Sequence, residues 1–297
     1  MASRRFMILG RRIAMNVRAD LDALAGRLGK WLVALPPTVF LLIFFVAPSL
    51  IVVVASFSHP GEFGGLAPLL PLLGADSGLT LETYRFFFSD FVYLEIFLKS
   101  FAVAALTTLI CIVMAYPLAW LIARSPKKRR DLMVLLVILP FASNFLVRVY
   151  AWIIILGPFN LLYTSFAVIV GMVYVHLPFM VLPLYTNLEK HDPALLEAAQ
   201  DLGADAWTRF WRITFPLSLP GIFSGSVLVF IPVLGMFAIP ELLGGTGDIL
   251  IGNLIKEQFL DNRDWPLGAM LSIMLTIAVL ALAGFSAWAG RTRGRAA

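Results

Sequence analysis

Charge is scarce in this chain. Only 14% of its 297 residues are Asp, Glu, Lys or Arg, whereas 60% are hydrophobic. Soluble globular domains carry about a quarter charged residues, so the composition excludes that class and fits a polytopic membrane protein. Cysteine is nearly missing too. The single Cys111 lies in an apolar run, which rules out an intrachain disulfide and a cysteine-type metal site. The three histidines, His59, His176 and His191, have no ligand spacing, so no metal is expected. There is no glycine-rich phosphate loop, and any ATP chemistry must therefore belong to another chain. No nucleophile–base set or metal cluster appears, which argues against a membrane enzyme.

Long hydrophobic runs are what the chain does have. Six are long enough to span a bilayer, at about 31–57, 100–123, 132–156, 166–188, 217–239 and 267–289. The expectation is an all-α membrane domain over 31–290, preceded by a basic segment 1–30 and followed by a short tail 291–297. Gly221, Gly225, Pro232 and Gly235 make the fifth run the least regular, because small residues allow close helix approach and proline allows bends. Ile251, Leu254, Ile255 and Phe259 suggest a short surface helix in the loop before the sixth. The segment 1–30 reads either as a basic helix on the membrane surface or as a solvated tail that sets topology. The apolar run after it is too long for a cleaved signal peptide.

Six spans put both termini on one side. Of the 23 Lys and Arg, seven lie in the segment 1–30, five follow the second span, three lie between the fourth and fifth spans, and three are in the tail. The two long loops on the other side hold four, and Arg148 lies within a span. The positive-inside rule then makes the termini cytoplasmic. The basic run 124–131 could suggest nucleic acid in a soluble protein; between two spans it is a topology signal, and no nucleic-acid partner is expected.

Arg148 is the only charge inside a span, and a membrane charge is costly enough to mark a functional site. A count of about 1.5 Å per residue from Leu132 places it in the outer half of the bilayer. It could line a solute path, or it could snorkel to headgroups or tie two helices together. Glu241, Asp248, Asp261 and Asp264 lie in the last outer loop, and each outer loop has five acids against two bases. Such mouths would draw in a cation, although simple solvation explains single acids as well. Tyr150, Trp152, Tyr174 and Tyr185 could stack on a cation or form interfacial belts.

The chain's most charged and aromatic interruption is Glu197 to Pro216. It reads as two short helices joined at Gly203. Asp192 caps the first, with Pro193 at its first position, and Asp205 caps the second. Gly203 stands where a left-handed residue ends a helix. Trp207, Phe210 and Trp211 share one face, which packs on this chain or on a partner.

Glu197-Ala198-Ala199, three residues, Gly203, nine residues, then Ile213-x-Phe215-Pro216 resembles the EAA loop of ABC importer permeases, with Phe215 in place of the usual Leu. In that family the loop, here 189–216, is a cytoplasmic coupling element that docks into the ATP-hydrolysing subunit. Further stretches are similar to spermidine/putrescine permeases: 145–152 after Pro140-Phe141, 177–185, 188–193, 239–245, 251–253 and 262–266. Two departures stand out. Met236 occupies a position where polyamine permeases commonly have an acid, and the turn at Gly157-Pro158-Phe159-Asn160 is shorter than usual.

The resemblance implies a type I ABC importer permease fold in a bacterial inner membrane, with no catalysis and no cofactor of its own. ATP and Mg would act on two partner ATPase subunits, beside a second permease and a periplasmic solute-binding protein. Glu197, Ala198, Ala199, Gly203, Ile213 and Pro216 would carry coupling. Arg148, Tyr150, Trp152, Tyr185, Met236, Glu241 and Asp264 are the path candidates. The implied solute is putrescine or spermidine; Met236 keeps an amino acid or opine-like solute open. An ATP-independent carrier or channel using Arg148 and the acidic mouths is the rival class. It predicts uptake that survives loss of any ATPase, and the lack of an evident internal repeat disfavours its inverted-repeat form.

Overall fold

The computed structural model describes residues 32–61, 63–67 and 78–293. The basic segment 1–30 lies outside the described residues, as do residues 294–297. The chain forms two compact units, 1–55 and 56–297. The described residues are helical, with two isolated bridges, Ser58 to Leu79 and Pro60 to Leu66, and no strand.

The first apolar helix, α1 (Leu32–Ser56), contains a widened π turn over Leu42–Val46. Pro48 follows two residues later. A wide turn relieves the clash between a proline ring and the carbonyl four residues back. A second wide turn, Phe210–Thr214, stands in the same relation to Pro216.

The second unit begins with α2 (Glu82–Ser89) and α3 (Phe91–Arg124). α3 starts nine residues before the apolar run at 100–123, because Asp90 caps it by accepting from the Val92 N–H at 3.0 Å. At 34 residues it is about 50 Å long, more than the roughly 30 Å of hydrocarbon. α6 (Ser165–Leu188) is the most buried of the membrane-length helices and packs against both α3 and α8 (Ala206–Leu234). α9 (Ala238–Leu243), α10 (Ile251–Leu260) and α11 (Trp265–Arg293) complete the unit.

Two expected spans are not single rods. The run at 132–156 is divided between α4 (Lys127–Ile138), with a tight extension Leu139–Ala142, and α5 (Phe145–Leu156). The two parts meet at 92°. Asn144 leaves the helical conformation and caps α5, accepting from the Leu146 N–H at 2.8 Å, while the Ser143 hydroxyl donates to the Pro140 carbonyl. The straight count to Arg148 therefore fails, because Arg148 lies beyond the bend. The run at 217–239 stops at Leu234, and residues 235–237 separate α8 from α9. Among the described residues, five helices are thus long and apolar enough to cross a membrane, or six if the bent pair is one span.

The core lies between α3, α6, α8 and α9. Water is unavailable in lipid, so buried polar groups must pair within the chain. His176 Nδ1 pairs with the Met172 carbonyl at 2.8 Å, and the Tyr116 and Ser218 hydroxyls are 3.1 Å apart, joining α3 to α8. The Ser100 hydroxyl accepts from the Ile251 N–H at 2.8 Å and ties α3 to the start of α10. Ile251 and Leu254 are buried, so α10 is an integral part of the packing rather than a surface helix.

α8 comes close to α6 at Gly225, where a β-carbon would sit 2.6 Å from Met180 Sδ and 3.2 Å from the Met180 carbonyl oxygen. Gly225→Val is expected to push α8 off α6 and destabilise the chain by about 1–3 kcal/mol. A lowered melting temperature of the purified variant in detergent checks this.

Candidate coupling loop and solute path

The loop after α6 builds a compact step. Asp192 accepts from the Ala194 N–H at 2.9 Å and starts α7 (Pro193–Asp201), with Pro193 at its first position. Gly203 then takes a left-handed φ of +80°. Nothing lies within 4 Å of the place a β-carbon would occupy, so glycine serves the backbone turn there and not a tight contact. Asp205 accepts from the Thr208 N–H at 3.2 Å and begins α8. The Thr208 bonds hold the Asp205 carboxyl below its ordinary range. Arg209 Nη1 donates to Gln200 Oε1 at 2.7 Å, closing α7 against α8.

Glu197 and Ala198 are exposed on α7, and Ala199 is half-buried. Leu202 is 89% exposed and Trp207 70% exposed, an unusual display for a leucine and a tryptophan. The aromatic set stays together, with Phe210 edge-on to Trp211 at 5.2 Å, but its members differ in exposure. Phe210 packs edge-on to Tyr116 of α3 at 5.5 Å, while Trp207 and Trp211 contact each other at 5.6 Å and stay exposed. Ile213 is half-buried and Pro216 exposed at the start of the membrane part of α8. At the other end of the step, Arg130 of α4 pairs with Glu189 at 2.5 Å.

The seven path candidates do not form one cluster. Arg148 is partly buried, with its guanidinium carbon 5.8 Å from the Phe141 ring centroid. Its Nε is buried without a hydrogen-bond partner, and no described carboxylate lies within 4.0 Å. Trp152 packs edge-on to Tyr174 at 5.6 Å, Tyr150 is exposed, and Tyr185 is half-buried near the end of α6. Met236 lies in the break between α8 and α9, packed on the core.

The outer acids have partners. Glu241 and Asp261 share Lys256, at 2.9 and 3.4 Å. The hydrogen bond that Lys256 donates to Glu241 is the main cause that raises the Lys256 pKa. Asp264 caps α11 through the Leu267 N–H at 3.1 Å. Asp248 accepts from the Ser165 hydroxyl and the Gly245 N–H, with Lys99 at 3.7 Å. Burial raises its pKa, but these bonds and the Lys99 charge outweigh burial and hold it low. This corner joins the N-terminal parts of α3 and α6. Among the described residues no three His, Cys, Asp or Glu form a metal-binding group.

Sequence reasoning passed over Asn187. It lies with Thr186, Lys190 and Ser224 in a cleft of about 500 Å³ between α6 and α8, and its Oδ1 is buried without a partner. A polar pair, Thr186-Asn187, at the end of an apolar run was the available signal.

The family model described as "Binding-protein-dependent transport system inner membrane component" matches residues 115–291. The chain is 45% identical over 217 residues to the spermidine/putrescine transport system permease protein PotB of Escherichia coli K12, covering 67% of this chain and 78% of that protein. Its identity to PotB of Haemophilus influenzae is 39% over 260 residues, 81% and 87% of the two chains. Its fold matches a chain of a bacterial ABC transporter involved in import of the acidic polysaccharide alginate, with a TM-score of 0.64, 18% identity, and coverage of 88% of this chain and 94% of that one.

At this corner, Asp248→Asn is expected to cost about 1–3 kcal/mol, since it weakens bonds to a partly buried carboxylate. A depressed pKa means that the stabilisation is present above the unfolded carboxyl range and fades as pH falls through the folded value. Melting curves of the two proteins should therefore differ at neutral pH and converge in acid.

Proposed function

The chain belongs to the binding-protein-dependent transport system inner membrane components, and on that footing we propose that it is a permease subunit of an ATP-driven importer for putrescine or spermidine. The spermidine/putrescine names of its relatives support the solute. A second permease, two ATPase subunits and a periplasmic solute-binding protein complete the machine, which sits in the bacterial inner membrane. The termini and the loop 189–216 face the cytoplasm, in line with the distribution of Lys and Arg.

The observation that carries the coupling role is the geometry of α7. It stands outside the helix packing, with Glu197, Ala198 and Leu202 exposed, yet it follows α6 after four residues, begins at the Asp192 cap and is tied to α8 by the Arg209–Gln200 bond. An ATPase that grips α7 acts at once on the two helices packed through Gly225 and Met180. Ala198 leaves room for close docking, and Glu197 meets a positive group of the ATPase. Nucleotide binding by the ATPase pair turns the pathway outward to take solute from the binding protein, and hydrolysis resets it. This chain supplies no catalytic group and binds no nucleotide.

The path role goes to the cleft between α6 and α8. Its Thr186, Asn187 and Ser224 offer neutral oxygens to an amine, against the positive charge of Lys190, which lines the same cleft. Arg148 braces the bent segment against Phe141, since a positive lining would repel a cation. Met236, uncharged where polyamine permeases commonly have an acid, favours a second reading: the same machine carrying an amino acid or opine-like solute.

Ala198→Trp is expected to abolish ATP-dependent uptake of labelled putrescine in proteoliposomes and to lose the co-purifying ATPase, with the chain still inserted. Normal uptake by a well-expressed variant would remove the coupling role. Uptake of a labelled amino acid in place of putrescine would transfer the reading to the second solute class. Arg148→Ala is expected to lower the yield of assembled complex while leaving the KM for putrescine unchanged; a changed KM would return Arg148 to the path.

A further inference from the structure

Between the end of α3 and the start of α8 lies a cleft of about 470 Å³, which the transport reading uses only where Arg209 bonds Gln200. Its floor is apolar and aromatic, with Tyr116, Trp120 and Phe210, and two arginines, Arg124 and Arg209, line it as well. The Arg124 guanidinium carbon lies 4.6 Å from the Trp120 ring centroid. Arg209 is bonded to the neutral Gln200, and its Nε is buried without a hydrogen-bond partner.

Neither guanidinium has a described carboxylate within 4.0 Å. A neighbouring cleft shares both arginines and includes Glu189, Asp192 and Glu197. Glu189 is engaged by Arg130, and Asp192 caps α7. Glu197 lines only the neighbouring cleft and pairs with neither arginine within 4.0 Å, so two positive charges stand beside an apolar floor without a paired anion among the described residues.

We propose that this cleft holds an anionic phospholipid, its phosphate on Arg124 and Arg209 and an acyl chain along Tyr116, Trp120 and Phe210. Basic pockets at helix ends suit such headgroups. Charge complementarity selects this occupant. The chain's own segment 1–30 carries seven Lys and Arg and would add like charge. An apolar partner helix would cover the guanidinia without pairing them, at high desolvation cost. A free phosphate would satisfy the charges but leave the aromatic floor empty. Assignment to the inner leaflet rests on the topology proposed above; the pairing of an anion with a chain does not.

The test is native mass spectrometry of the full chain, in mild detergent with the subunits that accompany it, titrated with dimyristoyl phosphatidylglycerol or dimyristoyl phosphatidylcholine. Phosphatidylglycerol should bind more tightly than phosphatidylcholine. Arg124→Gln should weaken phosphatidylglycerol about fivefold, and Arg124→Gln with Arg209→Gln about thirtyfold. Arg124→Lys, which keeps the charge, should retain it and serves if the double variant does not fold. Equal binding of the two lipids, unchanged binding by a folded double variant, or loss in Arg124→Lys would overturn the proposal. Displacement of phosphatidylglycerol by millimolar inorganic phosphate would overturn the lipid source. ATP-dependent uptake is assayed separately. Uptake that fails while phosphatidylglycerol still binds would count against the transport reading alone; lipid binding that fails with uptake intact would count against the site alone.

Discussion

The approach of α6 to α8 is the contact on which the rest of the second unit depends. Lipid gives no hydrophobic drive for one apolar helix to leave it for another, so association rests on van der Waals contact between closely fitted surfaces. Gly225 allows α8 to lie against the backbone and sulfur of Met180. That contact fixes α6 between α8 and α3. The ends of α6 then carry the two features that meet the water on either side. Ser165 at its start contributes to the Asp248 corner, and the Asp192 cap just past its end launches α7. A displacement at one end must move through a helix packed along most of its length.

The interruptions follow from the same constraint. A helix can stop inside an apolar layer only where its freed polar groups find partners in the protein. At the 92° bend, Ser143 and Asn144 supply those partners beside Pro140. At the break after Leu234, the Asn253 amide donates to the Phe237 carbonyl at 2.9 Å. The wide turns before Pro48 and Pro216 keep the helix running where a proline would otherwise break it. Each interruption joins a proline or glycine to a nearby short polar side chain.

Much of this was legible in the sequence because it is local. Apolar length gave the helices, and Asp192, Gly203 and Asp205 gave the step of the loop, since a cap or a left-handed turn depends on a few neighbouring residues. The bend at Asn144 was hidden because the run 132–156 is long and apolar enough for one span despite Pro140, Ser143 and Asn144 within it, and length alone cannot separate one straight helix from two shorter ones. The burial of α10 depends on Ser100, 151 residues away in sequence. Asn187 was passed over for a similar reason: its unpaired oxygen is a property of the α6–α8 contact and not of its neighbours in the chain. The acids of the last outer loop were counted as free charge, although Asp264 is a cap and Asp248 part of a buried corner.

That last difference bears on the solute. Counted as composition, the outer loop is an acidic mouth; resolved into contacts, much of its charge is already engaged. Glu241 and Asp261 share a single Lys256, which leaves about one uncompensated negative charge there. Arg148, by contrast, has no described counter-ion. A bare guanidinium in a path of low dielectric would raise the barrier to a cation far more than one exposed carboxylate group could lower it. A polyamine path and an Arg148 lining therefore make opposite demands. If the relatives' solute is also this chain's, the proposed reading leaves selection of the cation to the partner binding protein and to neutral oxygens such as those of Asn187 and Ser224, against the charge of Lys190 in the same cleft, and sets Arg148 against Phe141 as a brace at the bend.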